Sequence, residues 1–197
     1  MEANKKLPIF YLEVDLTKSE GVNYIALVDE PAIERNFIAF EKQKQFFKAD
    51  PTRRIVSGAL MIADLPIYRR DDTRGEYYVV FNSDSIMKIV QNFFKMKYIN
   101  NVNFMHDKPI EGVYLFESFI IDSSRGLKAP EGFDGITEGS WFGSMKVEND
   151  QIWNDFIKTG IFKGFSVEGI FELLPAPQKK LSEIEEVISE IEKIESK

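Results

Sequence analysis

The sequence predicts an α+β fold built on a mainly antiparallel sheet or barrel, and three observations carry that expectation. Short runs rich in β-branched and aromatic residues, separated by Gly, Pro, Asp or charged clusters, fill the first half of the chain. One segment, Ser83 to Lys97, repeats its apolar residues at helical spacing. The 197 residues are 44% hydrophobic and 13% aromatic, enough for one buried core plus an appendage. The expected division is a domain over 1–174 and a Pro-containing linker with a helical tail over 175–197.

Taken in order, Ile9 to Val14, Val22 to Val28, Phe37 to Phe40, Ile55 to Ile62 and Tyr77 to Phe81 read as strands. The charged stretch Glu41 to Asp50 reads as an excursion between them. The helix from Ser83 to Lys97 takes Ser83 as its cap and places Ile86, Ile89, Val90, Phe93 and Phe94 on one face. Val102, Phe104 and His106 then alternate with Asn101, Asn103 and Met105, which points His106 to the apolar side of an extended strand. Asp107 to Gly112 reads as a turn and Val113 to Ile121 as the returning strand of a hairpin. Asp122 to Gly139, with four glycines and a proline, has the composition of an exposed loop. Trp141 to Val147 resumes a strand. Asp150 to Thr159 makes a short helix that Gly160 stops, before the strand that carries Ser166. After Pro175-Ala176-Pro177, Leu181, Ile184, Ile188 and Ile191 form a short apolar seam among Glu and Lys. That tail helix reads either as a docking element for scaffold or a second copy, or as a solubilising helix folded back on the domain.

Composition removes several function classes. A formal charge of −7 argues against a nucleic-acid surface, which needs clustered Lys and Arg. With no cysteine, disulfides, thiolate catalysis and Cys-ligated zinc are excluded, and one histidine rules out a His-rich metal site, so no cofactor or metal is expected. No continuous apolar run suits a membrane span or a signal segment, so a cytoplasmic location is expected.

The single histidine also constrains mechanism. If a serine nucleophile works here with an imidazole base, the base is His106, and it precedes Ser166 in the chain. That order excludes the α/β-hydrolase arrangement, and Gly164-Phe165-Ser166-Val167-Glu168 misses the Gly-x-Ser-x-Gly elbow by one residue. A chymotrypsin-like context around Ser166 is missing as well. In an extended strand Gly164, Ser166 and Glu168 share one side, leaving room for a substrate backbone, and glycines at 164 and 169 permit close approach and oxyanion-donating N–H groups.

The run from Glu138 to Val147, then Ile152-Trp153, then Gly160 to Gly169 resembles the carboxyl half of the XkdF-like phage serine proteases. Asn103-Phe104-Met105-His106-Asp107 and the following Val113 to Ile121 resemble the histidine strand and the Glu-Ser strand of that family, and the likeness spans about Pro8 to Leu174. The family is related to the prohead proteases of tailed phages and more distantly to herpesvirus assemblin. The resemblance implies a compact, herpesvirus-protease-like β-barrel ringed by helices. It implies Ser166 as nucleophile and His106 as base, with Glu117, Asp107 and Glu168 open as the third member because assemblin's second histidine is absent here. It further implies a serine endopeptidase of capsid maturation, acting inside the prohead in the host cytoplasm on scaffold, on major capsid protein extensions and on itself, and able to form a homo-oligomer. The competing expectation is a catalytically silent assembly protein of the same fold that binds scaffold or capsid protein.

Overall fold

The computed structural model describes residues 7–18, 20–29, 47–133 and 135–195. Its strands are β1 (Ile9–Glu13), β2 (Gly21–Val28), β3 (Phe47–Asp50), β4 (Ile55–Met61), β5 (Ile67–Asp71), β6 (Gly75–Val80), β7 (Val102–Phe104), β8 (Lys108–Pro109), β9 (Val113–Ile120), β10 (Trp141–Val147), β11 (Gly164–Ile170) and β12 (Glu172–Pro175). Among the described residues they are accompanied by the α-helices α1 (Ser83–Lys95) and α2 (Gln178–Glu195).

The strands make three four-stranded sheets, ordered β12-β1-β6-β5, β3-β4-β10-β9 and β11-β2-β7-β8. The pairings β1–β6 and β2–β7 are parallel, and the others are antiparallel. The α+β class therefore holds, while the expected barrel does not. Each sheet ends in its own edge strands, and among the described residues no ladder closes the sheets into a ring. The reason is physical: inward and outward residues alternate along a strand in the same way whether its sheet closes on itself or packs against another.

One apolar core fills the space between the sheets. Ile25 and Leu27 of β2, Val56 and Leu60 of β4, Val79 of β6 and Trp141 of β10 all lie within it. Helix α1 lays Ile86, Ile89 and Phe93 into the same core, and the rings of Phe93 and Trp141 meet edge to face with centroids 5.3 Å apart. The buried indole N–H of Trp141 donates to Ser118 Oγ at 2.7 Å, so that burial leaves no donor stranded. Asn82, not Ser83, caps α1: its side chain accepts from the Ser85 N–H at 2.8 Å. Phe94, expected on the buried face, is exposed.

Further expectations are corrected. Val113 to Ile120 is not the return arm of a hairpin with the histidine strand. Instead β7 turns into the two-residue β8, and β9 crosses to pair with β10 in another sheet. The charged excursion ends in a true strand, β3, paired with β4. The expected strand at 37–40 and the rest of the excursion, 41–46, fall outside the described residues. The glycine-rich loop after β9 is anchored by Phe133 and Ile136, both buried in a second apolar cluster with Phe142. The short helix before β11 is π-helical over Ile152–Ile157, with the Lys158 N–H bonded to the Trp153 carbonyl, and it buries Ile152, Trp153 and Ile157. The tail helix α2 sinks Ile184 and Ile188 against Ile9, Tyr11, Tyr78 and Val80, so its apolar seam is occupied by the domain itself.

Candidate active site

The site is organised by the sheet β11-β2-β7-β8. Ser166 of β11 stands opposite Ala26 of β2, and Ala26 stands opposite Asn103 of β7. Directly opposed residues project to the same face of a sheet, so these three form one row. Adjacent strands lie about 4.8 Å apart, which puts the outer two Cα atoms roughly 10 Å apart. The methyl of Ala26, fully buried between them, leaves the space above the row to the longer side chains.

Two of those side chains meet there. His106 does not continue β7 as an extended residue. The strand ends at Phe104, and Met105 and His106 adopt left-handed backbone angles, φ 48° and 61°, within a turn closed by the Asp107 N–H on the Phe104 carbonyl at 2.8 Å. Two successive positive φ values are those of a type I′ turn, a conformation that non-glycine residues seldom take. The turn lifts the imidazole off the strand and brings His106 Nδ1 to 3.4 Å from Glu168 Oε2. Both side chains remain accessible, with 40% and 45% of their area exposed.

Asn103 ties the pair down. Its Nδ2 donates to Glu168 Oε2 at 2.7 Å, and its Oδ1 accepts the backbone N–H of His106 at 3.2 Å. With only 5% of its surface exposed, this amide holds the carboxylate and fixes the base of the histidine turn at once. Glu168 is opposite Tyr24, on one side of the Ser166–Ala26–Asn103 row, and the histidine turn begins beside Leu27 on the other side. The contact between His106 and Glu168 therefore spans the row that holds Ser166.

The register of β11 on β2 shifts between Glu168 and Gly169, where Asn23 is the extra residue and the bulge lies on β2. A Cβ on Gly169 would stand 2.1 Å from the Gly21 carbonyl oxygen, so the close approach that demands glycine is to β2 and not to a ligand.

Among the carboxylates the sequence offered as partners for His106, Glu168 is the one in contact. Glu117 lies on β9 in a different sheet, opposite Ser144, and is exposed. Asp107 follows His106 in the turn and contributes its backbone N–H to the turn. Ser166 is half-buried, and among the described residues no hydrogen bond joins its hydroxyl to His106. Nδ1 of His106 is engaged by the carboxylate, which leaves Nε2 as the nitrogen to exchange a proton with another group.

On its other flank β11 borders a cavity of about 310 Å³, lined by Ser166 and Glu168 together with Leu60, Ile67, Arg69 and Tyr77 among others. Tyr77 donates its phenol to Asp71 Oδ2 at 2.8 Å; burial, and then this bond, push that phenol above its ordinary pKa. The Asp71 carboxyl is held below the usual range, first by the Arg74 backbone N–H and then by Tyr77. Sequence reasoning did not find Asn103 or this cavity. Asn103 alternates with apolar neighbours and reads as outward-facing, and the cavity wall includes β5, whose Arg69-Arg70 pair masked it as a strand.

Among the described residues no group of acidic or histidine side chains is arranged to hold a metal ion, and no helix is long and apolar enough to cross a membrane. Neither a curated protein nor a solved structure matches the chain. A family model does: the one described as "Putative phage serine protease XkdF" matches residues 42–174, more than half of the sequence, and the chain belongs to that family.

Proposed function

We propose that this chain is a serine endopeptidase of phage capsid maturation, with Ser166 as nucleophile, His106 as general base and Glu168 as the carboxylate that orients the imidazole. The observation that carries the reading is the His106–Glu168 contact laid across the row of Ser166, with Nδ1 on the carboxylate. In the first half-reaction Ser166 Oγ attacks the scissile carbonyl while Nε2 of His106 takes its proton, then returns that proton to the departing amine. Water attacks the resulting acyl-enzyme, with His106 again accepting and returning a proton, and releases the acid and free Ser166. Closure of Nε2 onto Oγ accompanies substrate binding, since catalytic hydrogen bonds are often long in a free enzyme and tighten in the complex. The position of the base ahead of the nucleophile is the order seen in prohead proteases and assemblin, and it supports the same assignment.

The proposed substrates are assembly proteins held inside the prohead: scaffold, amino-terminal extensions of the major capsid protein, and other copies of this chain. Confinement raises their effective concentration and offsets modest intrinsic activity. Intact mass followed over time for wild type, Ser166→Ala and His106→Ala, alone and with the neighbouring scaffold and capsid proteins, tests the reading. Wild type should cut, and each substitution should slow cleavage by about a thousandfold or more. Folded wild type that cuts none of these proteins would instead establish a silent assembly factor.

A further inference from the structure

The cavity beside Ser166 has a feature that side-chain alternation does not explain. Five consecutive residues of β11, Phe165 to Gly169, border it. Successive side chains point to opposite faces of a sheet, so one face cannot supply five neighbours in a row; the strand must present its edge. The topology agrees, because β11 is the terminal strand of β11-β2-β7-β8, and among the described residues its ladder partner is β2. In an antiparallel pair every second residue of an edge strand directs its N–H and C=O away from its partner. Among the described residues, a row of backbone groups without a ladder partner therefore runs along the cavity, with Ser166 in its middle.

The opposite walls are mostly apolar, with Arg69 of β5 and Tyr77 of β6 as the polar members. Leu60 and Ile62 come from β4 and the residue after it, Ile67 from β5, Val79 from β6, and Phe81 from just beyond. Against the apolar part of this lining a charged side chain gives up its water, and Arg69 already donates to the Tyr68 carbonyl at 3.1 Å, whereas an aliphatic or aromatic side chain gains burial. The volume of about 310 Å³ is at the small end of ligand pockets and suits one large side chain better than an extended ligand.

We propose that the free edge of β11 binds substrate as an added antiparallel or parallel strand, and that the cavity is a specificity pocket for an aliphatic or aromatic side chain adjoining the scissile bond. This inference rests on Ser166 as the nucleophile. Main-chain pairing supplies affinity that is indifferent to sequence, and the pocket supplies the selection, a division of labour general to recognition by strand addition.

The test separates the pocket from the chemistry. Ser166→Ala protein, labelled at its Ile, Leu and Val methyls and backbone amides, is titrated with two capped hexapeptides that differ only in carrying Leu or Asp at one central position. The Leu peptide should shift the methyls of Leu60, Ile67 and Val79 and the amides of β11, and should bind at least about tenfold more tightly than the Asp peptide, a gap that burying one such side chain accounts for. Equal affinities, or a Leu peptide that leaves these methyls unmoved, would overturn the pocket. Cleavage of the Leu peptide by wild type is scored separately. Selective binding without cleavage would keep the pocket and remove Ser166 as nucleophile, whereas cleavage without selectivity would do the reverse.

Discussion

Asn103 is the residue on which the geometry of the site depends, because one buried amide serves both the carboxylate and the histidine turn. In Asn103→Ala the Glu168 carboxylate loses a donor and the His106 N–H loses its acceptor, a change worth about 1–2 kcal/mol of stability. As a positioning residue, Asn103 should act on turnover more than on substrate binding. The expected result for Asn103→Ala is a kcat at least tenfold lower with KM within about a factor of two, the pattern of an interaction felt in the transition state. An equal loss in both parameters, or none in either, would assign Asn103 a purely structural role. At this scale the sequence was partly legible. Counting histidines isolated His106, and the side-sharing of residues 166 and 168 placed Glu168 beside Ser166. What could not be read was the left-handed turn at Met105-His106, since Met gives no sign of a positive φ, the enrichment of His there is a weak signal, and the alternation through Phe104 suggests continued strand.

Among the elements, β11 carries the most, being both the strand of the proposed nucleophile and the edge that faces the cavity. At the bulge in its partner β2, the two backbones come so close that Gly169 has no room for a side chain. Gly169→Ala would drive a methyl against the Gly21 carbonyl, a backbone atom that no rotamer change can move aside. The expected cost is about 3 kcal/mol, which for a chain of this length lowers Tm by roughly 6–12 °C. Thermal unfolding followed by circular dichroism measures it, and an unchanged Tm would mean that the two strands separate there at little cost. Strands with a buried face, such as β2, β4 and β10, were legible because β-branched and aromatic residues crowd them. Strands β3 and β5 were not, since each lies at a sheet edge and carries Lys48 and Asp50 or Arg69, Arg70 and Asp71. Charge on an edge discourages pairing with other chains, and the same charge hides the strand from a reading based on apolar runs. The mistaken hairpin has a related cause. Sequential strands usually pair, but Gly112, at φ 74°, turns the chain out of the β7 sheet and into the β9–β10 pair.

Across the whole molecule, the tail and the site are connected through one sheet. Helix α2 covers the β1–β6 face by burying Ile184 and Ile188, and Lys180 reaches Asp64 at 3.7 Å. Beneath that helix β1 pairs with β12, and only Phe171 separates β12 from β11. Burial raises the pKa of the Tyr11 phenol under the helix, and the nearby Asp64, Glu183 and Glu13 charges add to the shift. The helix therefore acts as a lid on apolar surface that the sheet would otherwise expose, and losing it should be felt at β11. In Ile184→Ala/Ile188→Ala each truncation removes a buried aliphatic side chain at about 2–4 kcal/mol, less where the helix lifts away and lets water in. The expected signature is a Tm lower by at least about 8 °C, taking the low end of that cost for both sites. It should come with new binding of a hydrophobic dye and faster amide exchange in β1, β12 and β11, in that order of effect. Should the double variant keep its Tm and its exchange pattern while losing only attachment to scaffold, the seam would be a docking element that rests on the domain without stabilising it. A fall in Tm with exchange confined to α2 would show that the helix stabilises itself and its contacts, but that β12 does not transmit its loss to the strand carrying Ser166.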